Sequence, residues 1–179
     1  MSMNFCCYCG NQLHLSVPDG DDRARYVCRS CGRIHYQNPK IVVGCIAEWD
    51  NKILLCKRSI EPRYGKWTIP AGFLESGETV VEGARREAHE EALARVDNLV
   101  PFTLYNITFV DQVYLIFRSN LLAGEFGVGS ESLDAALYCE QDVPWDELAF
   151  TVVRETLQHY FADRSAGIFT FHMGDIYPE

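Results

Sequence analysis

Two cysteine pairs, Cys6-x2-Cys9 and Cys28-x2-Cys31, each followed by a glycine (Gly10, Gly32), constrain this chain more than any other feature. A CxxC turn aims two thiolates at one point, and two such turns complete a tetrahedral S4 site suited to Zn²⁺. A segment of about forty residues buries too little apolar surface to fold alone, so a bound metal supplies the missing stability. Two disulfides would belong to an oxidising compartment, and a redox centre needs only one CxxC. Cys7 could replace Cys6, but only Cys6 keeps the two-residue gap. His35 could also act as a ligand, yet four cysteines already close the site, which leaves it as a bridging-strand residue. The expectation is a small zinc-bound module over residues 1–39 and a second domain over residues 40–179.

The second segment is long enough for one ordinary domain, and its charge is uneven. Residues 1–40 carry five Lys/Arg against three Asp/Glu, whereas residues 41–179 carry eleven against twenty-two, for a chain total of −9. An acidic body repels phosphate backbones, which argues against nucleic acid as the chief partner. It also means that a polyanionic substrate would approach only with divalent cations. No apolar run reaches membrane-spanning length, so no membrane association is expected. MSMNFCCYCG has neither the basic nor the apolar region of a secretory leader, so the expected location is the cytoplasm.

Residues 41–50 and 52–58 read as strands joined by a tight turn at Asp50-Asn51. Residues 102–109, 112–122 and 135–139 are also strand-like, and Cys45, Cys56 and Cys139 fall in these apolar patterns as small hydrophobes. Between the first strands and the rest, Thr79 opens a helix with Glu82 as its capping-box partner. A second helix follows from the spacing of Val152, Val153, Thr156, Leu157, Tyr160 and Phe161. Strands interleaved with two helices predict a layered α/β domain.

The first helix is unusual. Val81, Ala84, Ala88 and Ala92 form a narrow apolar stripe, and beside it Glu87, Glu90 and Glu91 occupy an arc of about 100° by the 3.6-residue period. Like charges at this spacing repel, so a solvated face would not gather them without reason. Clustered hard oxygen ligands suit Mg²⁺ or Mn²⁺. Arg86 follows Glu82 by four residues, in the favourable orientation for an ion pair, or could orient one of the carboxylates instead.

Gly72, five residues, Glu78, seven residues, then Arg86-Glu87-Ala88-His89-Glu90-Glu91, preceded by WTIPAG (67–72), resembles the signature box of the Nudix hydrolases. The resemblance implies a Nudix-type α/β/α sandwich with a mixed sheet, preceded by a zinc ribbon. It implies Mg²⁺- or Mn²⁺-dependent hydrolysis of a nucleoside diphosphate linked to another moiety. Glu87, Glu90 and Glu91 match the metal-binding glutamates, Gly72 the residue whose carbonyl completes the metal shell, and Glu78 with Arg86 the pair that shapes the loop. One position departs: Leu93 stands where the box has a glycine. Its side chain predicts a different helix exit, with another turn continued by Ala94 and Val96.

Glu91 could orient or deprotonate the attacking water, but a metal ligand is a weak base. Glu131, in the glycine-rich loop GEFGVGSES (124–132), is the outside candidate, with Glu125 behind it. A ribbon before the box and the HYQNPK junction (35–40) are similar to the NADH pyrophosphatases. Their Ser-Gln-Pro-Trp-Pro-Phe-Pro run is missing from LYNITFVDQVYLIF (104–117), and the whole pattern is closer to plant chloroplast FAD and ADP-ribose pyrophosphatases. The resemblance therefore puts ADP-ribose or FAD ahead of NADH, with AMP released and a homodimer as a possible assembly. The competing readings are a silent ligand sensor, a nucleic-acid-binding ribbon protein, or a housecleaning hydrolase of nucleoside triphosphates. Trp67, Tyr105, Phe109 and Phe150 could stack on a base, and Arg58, Arg63 and Lys66 could meet phosphates.

Overall fold

A computed structural model describes residues 3–178, and the chain separates into two compact units, Met1–Asn38 and Pro39–Glu179. The first unit is a three-stranded antiparallel sheet of β1 (Leu13–Ser16), β2 (Arg25–Cys28) and β3 (Ile34–His35). Its core is small: Cys6, Leu13 and Cys28 are buried, with Met3 and Tyr26 against them. His35 lies in β3, paired with Tyr26, as its reading as a strand residue requires.

The second unit is built on one mixed sheet. Its strands are β4 (Lys40–Trp49), β5 (Lys52–Arg58), β6 (Trp67–Thr68), β7 (Ala71–Phe73), β8 (Val96–Ile107), β9 (Gln112–Leu121), β10 (Ser132–Tyr138) and β11 (His172–Asp175). The main order is β10-β5-β4-β9-β8-β11, with β6 on β5 and β7 on β4. β4 runs parallel to β9 and β11 parallel to β8; the remaining neighbours are antiparallel. Asp50 and Asn51 both take positive φ (48° and 61°), the geometry that lets a two-residue turn follow the twist of β4 and β5.

Two helices, α1 (Val80–Ala92) and α2 (Thr151–Ala166), cover opposite faces of this sheet. The strands sort their side chains by the two-residue period. Val43, Cys45, Ala47, Leu54 and Cys56 meet Ala84, Ala88 and Ala92 of α1. Ile46, Ile53 and Leu55 meet Val152, Val153, Leu157, Tyr160 and Phe161 of α2. The expected α/β/α sandwich is therefore the observed one. Small alanines let α1 approach β4 closely; a larger side chain at Ala84 or Ala88, both fully buried, would overpack that face.

Three features differ from the sequence reading. β8 begins at Val96, six residues before the apolar run that marks it, because Val96 tucks into the α1 core while the polar residues after it lie at the sheet surface. β6 and β7 are too short to show a period. β11 carries no apolar alternation, and is held by backbone pairing to β8 and by Ile176, whose N–H donates to the Asn106 carbonyl at 2.9 Å.

Candidate active site

The loop before α1 and the helix itself form one hydrogen-bonded unit. Thr79 Oγ1 accepts from the Glu82 N–H at 3.2 Å, and Glu82 Oε2 accepts from the Thr79 N–H at 2.8 Å, a complete capping box. Glu82 is thereby committed to the cap. The Glu82–Arg86 pair does not form; Arg86 follows the other reading of its position and turns to the neighbouring carboxylates. Its Nε and Nη2 clasp Glu78 at 3.0 and 2.7 Å, and Nη2 also donates to the Phe73 carbonyl at 3.0 Å. Its Nη1 donates to Glu87 at 2.7 Å and to Glu90 at 2.9 Å. One guanidinium thus ties the loop to the helix and draws two of the three glutamates together. The Arg86 side chain holds the Glu78 carboxyl down to about 2.

Glu87 and Glu91 are buried, one turn apart, and face the sheet. Burial raises the Glu87 carboxyl above its ordinary range and pushes Glu91 up to about 8. Glu91 accepts a hydrogen bond from the Ala71 N–H at 3.2 Å. Gly72 lies directly against the Glu87 carboxylate, and a Cβ there would overlap it. Gly72, Glu87, Glu90 and Glu91 therefore share one wall. Among the described residues the four cysteines form the one set of three or more such side chains whose ligand atoms all lie within 4.8 Å of one another.

The helix exit corrects the reading of Leu93. No extra turn forms. Leu93 takes the left-handed conformation (φ 49°, ψ 20°), its N–H donates to the His89 carbonyl at 2.8 Å, and the Ala94 N–H donates to the Ala88 carbonyl at 3.2 Å. This is the terminal geometry a glycine would give, with a leucine bearing the strain. The loop at 124–132 then completes the end of α1. The Gly127 N–H donates to the Ala92 carbonyl at 2.7 Å and the Gly129 N–H to the Glu91 carbonyl at 3.1 Å. Gly129 sits so close that a Cβ would collide with the backbone of Glu90 and Glu91.

These elements border a cleft of about 830 Å³. Gly72, Arg86, Glu87, Glu90, Glu91 and Glu131 line it, whereas Glu125 does not. Of the other candidates, Phe109, Phe150, Arg58 and Arg63 line the cleft and Lys66 does not. Trp67 and Tyr105 are buried in the α2-side core, where each packs by hydrophobic burial. The sequence reading missed Tyr114, and it missed the wall made by Ile176, Tyr177 and Pro178 after β11, for which no local pattern gave a signal. Glu75 also borders the cleft, and its N–H donates to Glu78 at 2.7 Å.

In the first unit the Cys6 and Cys31 sulfurs are 3.7 Å apart and the Cys9 and Cys28 sulfurs 3.4 Å. Tetrahedral zinc with Zn–S bonds of about 2.3 Å needs sulfurs roughly 3.8 Å apart, so the set fits the metal. Both turns repeat one geometry: the Gly10 and Gly32 N–H groups donate to the Cys6 and Cys28 carbonyls at 2.9 and 2.8 Å. His35 stands outside the four, with Nε2 3.3 Å from the Cys6 sulfur. Cys7 is exposed, 3.8 Å from His35 Nδ1.

Comparison with known proteins agrees with this geometry. The NUDIX domain family matches residues 38–160, and the zinc ribbon described as Nudix N-terminal matches residues 4–37. A crystal structure of a NUDIX hydrolase from Nitrosomonas europaea is 49% identical, covers 97% of this chain and 99% of its own, and superposes with a TM-score of 0.93. The NAD-capped RNA hydrolase NudC of Vibrio parahaemolyticus is 29% identical over 90% of this chain, which spans 61% of that relative's length. The ADP-ribose pyrophosphatase of Methanocaldococcus jannaschii is 34% identical over 64% of this chain and 69% of its own. With the box geometry, the sandwich and the cysteine unit in agreement, the chain belongs to the Nudix family and carries the family's zinc ribbon ahead of its Nudix domain.

Proposed function

We propose that the protein hydrolyses the pyrophosphate bond of a nucleoside diphosphate joined to a second moiety and releases a nucleoside monophosphate, AMP from ADP-linked compounds. The observation that carries this reading is the convergence of Gly72, Glu87, Glu90, Glu91 and Glu131 on one cleft that Phe109, Tyr114 and Phe150 also line. The donor set is all oxygen, Glu87 and Glu91 are buried carboxylates, and Gly72 leaves room where a side chain would fill the space. Such a set fits Mg²⁺ or Mn²⁺. Glu87, Glu90, Glu91 and the Gly72 carbonyl would hold the cation, which when bound neutralises diphosphate charge and acidifies water.

The chain's own residues do the rest. Glu78 and the Phe73 carbonyl hold Arg86, and Arg86 holds Glu87 and Glu90 in register. Glu131 lies on the exposed side of the cleft, where its charge reaches both Glu87 and Glu91. From there it can accept a proton from an attacking water while Glu87, Glu90 and Glu91 stay committed to the metal, so we assign it as the general base. Cys6, Cys9, Cys28 and Cys31 would hold the structural Zn²⁺ of the ribbon.

ADP-ribose and the NAD cap of RNA, the substrates named for two relatives, share an ADP half. They move NADH level with ADP-ribose as the first compounds to test, with FAD after them. The net charge of −9 still opposes a long polyanionic chain, so the small dinucleotide is the favoured form. The test is product analysis with Mg²⁺ or Mn²⁺ and ADP-ribose, NADH, FAD, NAD-capped RNA and nucleoside triphosphates. AMP is expected from the first two. Pyrophosphate from triphosphates alone would make this a housecleaning enzyme, and no turnover would leave a sensor. Glu91→Gln is expected to lower kcat by about 10²-fold or more with an unchanged fold, and Glu131→Gln to lower kcat by the 10²–10⁴ of a lost general base.

A further inference from the structure

The cleft is lined by six glutamates, Glu61, Glu75, Glu87, Glu90, Glu91 and Glu131, against three arginines, Arg58, Arg63 and Arg86. A diphosphate entering this space needs a cation whose donors are free. Arg86 is not available: all three of its nitrogens are engaged by Glu78, Glu87, Glu90 and the Phe73 carbonyl. Arg63 is exposed on the turn after β5. Arg58 is different. It is half-buried at the last position of β5, and its backbone is fixed on both sides: its N–H donates to the Lys66 carbonyl and its carbonyl accepts from the Gly65 N–H, both at 2.9 Å.

The side chain is fixed as well. Arg58 Nε donates to the Pro62 carbonyl at 3.0 Å, and the guanidinium carbon lies 5.1 Å from the centre of the Phe150 ring. These contacts hold the plane of the guanidinium and leave both terminal nitrogens without a hydrogen bond to another described residue. Its location is tied to the acidic end of the cleft. Arg58 lies opposite Ser132 across the β5–β10 pairing, and the Ser59 N–H donates to the Glu131 carbonyl at 3.1 Å. A cation and a carboxylate thus leave two paired strand ends side by side and border the same cleft.

We propose that Arg58 is the phosphate-binding residue of this cleft, its two free guanidinium nitrogens gripping the oxygens of the diphosphate beside the glutamate wall. A planar fork held from behind loses little entropy when it grips a phosphate, and two parallel N–H donors match two phosphate oxygens. The pre-set orientation favours a diphosphate over a neutral nucleoside. This assignment rests on the proposed pyrophosphate hydrolysis for its physiological meaning, but its test does not.

Calorimetric titration of the full chain with inorganic pyrophosphate in Mg²⁺ reads the site directly. Arg58→Ala is expected to weaken pyrophosphate binding by about tenfold or more, the range of a lost charge-assisted hydrogen bond. Arg58→Lys, which keeps the charge and loses the fork, is expected to recover only part of that affinity. Melting temperatures of both variants separate a folding defect from a binding defect, with Arg58→Lys expected to melt like the parent. With ADP-ribose, Arg58→Ala is expected to raise KM more than it lowers kcat. Unchanged pyrophosphate affinity in Arg58→Ala, or no pyrophosphate binding by the parent, overturns the assignment. Arg58-dependent pyrophosphate binding without hydrolysis of any ADP-linked compound would support it and overturn the proposed reaction instead.

Discussion

Leu93 is where a single residue carries the most information. A left-handed leucine costs roughly 1–2 kcal/mol relative to glycine, and the glycine's greater freedom in the unfolded chain returns about 0.4–1 of that. Leu93→Gly is therefore expected to stabilise the protein by about 0.5–1 kcal/mol in denaturant titration. Glu91 makes the second residue-scale prediction. Its carboxyl is pushed up by burial from 4.5 to about 8, so the metal-free folded state binds that proton more tightly than the unfolded chain. The stability tied to this proton is fully present below pH 4.5 and is lost as pH rises toward 8. On the proposed metal role of Glu91 a divalent cation would replace the proton, so Mg²⁺ is expected to raise the melting temperature more in alkaline than in mildly acidic buffer. Glu91→Gln should flatten that difference.

At the scale of elements, α1 depends on partners at both ends. Its start was legible in Thr79 and Glu82, because a capping box is local in sequence. Its end was not, because the carbonyls of Glu91 and Ala92 are satisfied by Gly129 and Gly127, more than thirty residues along the chain. Gly129→Ala would drive a methyl into the backbone of Glu90 and Glu91. It is expected to cost about 1–3 kcal/mol by overpacking and to lower kcat, since the displaced loop also carries Glu131. A thermal melt beside steady-state kinetics checks both effects. The Glu82–Arg86 spacing misled for a related reason: a favourable i, i+4 geometry is worth only a few tenths of a kcal/mol. A bidentate grip on Glu78 from the loop outweighs it.

For the whole molecule, the two units have separate cores, one organised by four sulfurs and the other by a sheet between two helices. Chelation of zinc is expected to unfold the segment 1–38 while the sheet of the larger unit survives, which hydrogen exchange would resolve segment by segment. The sequence by itself determined the periodic elements, the cysteine quartet and the glutamates on one arc of α1, since each is encoded within a turn, a pair of turns or a helix period. Only the tertiary structure decided which aromatic residues entered the cleft. Trp67 and Tyr105 carry the same composition signal as Phe109 and Phe150, yet the sheet buries the first two. Phe109 sits in the turn between β8 and β9 and Phe150 at the start of α2, and both line the cleft. The tertiary structure likewise decided that Glu131 and not Glu125 borders the cleft with the glutamates, that Arg58 lines the same cleft, and that residues 176–178 wall it. Each of these is a long-range juxtaposition set by strand pairing and burial, for which no short stretch of sequence holds the information.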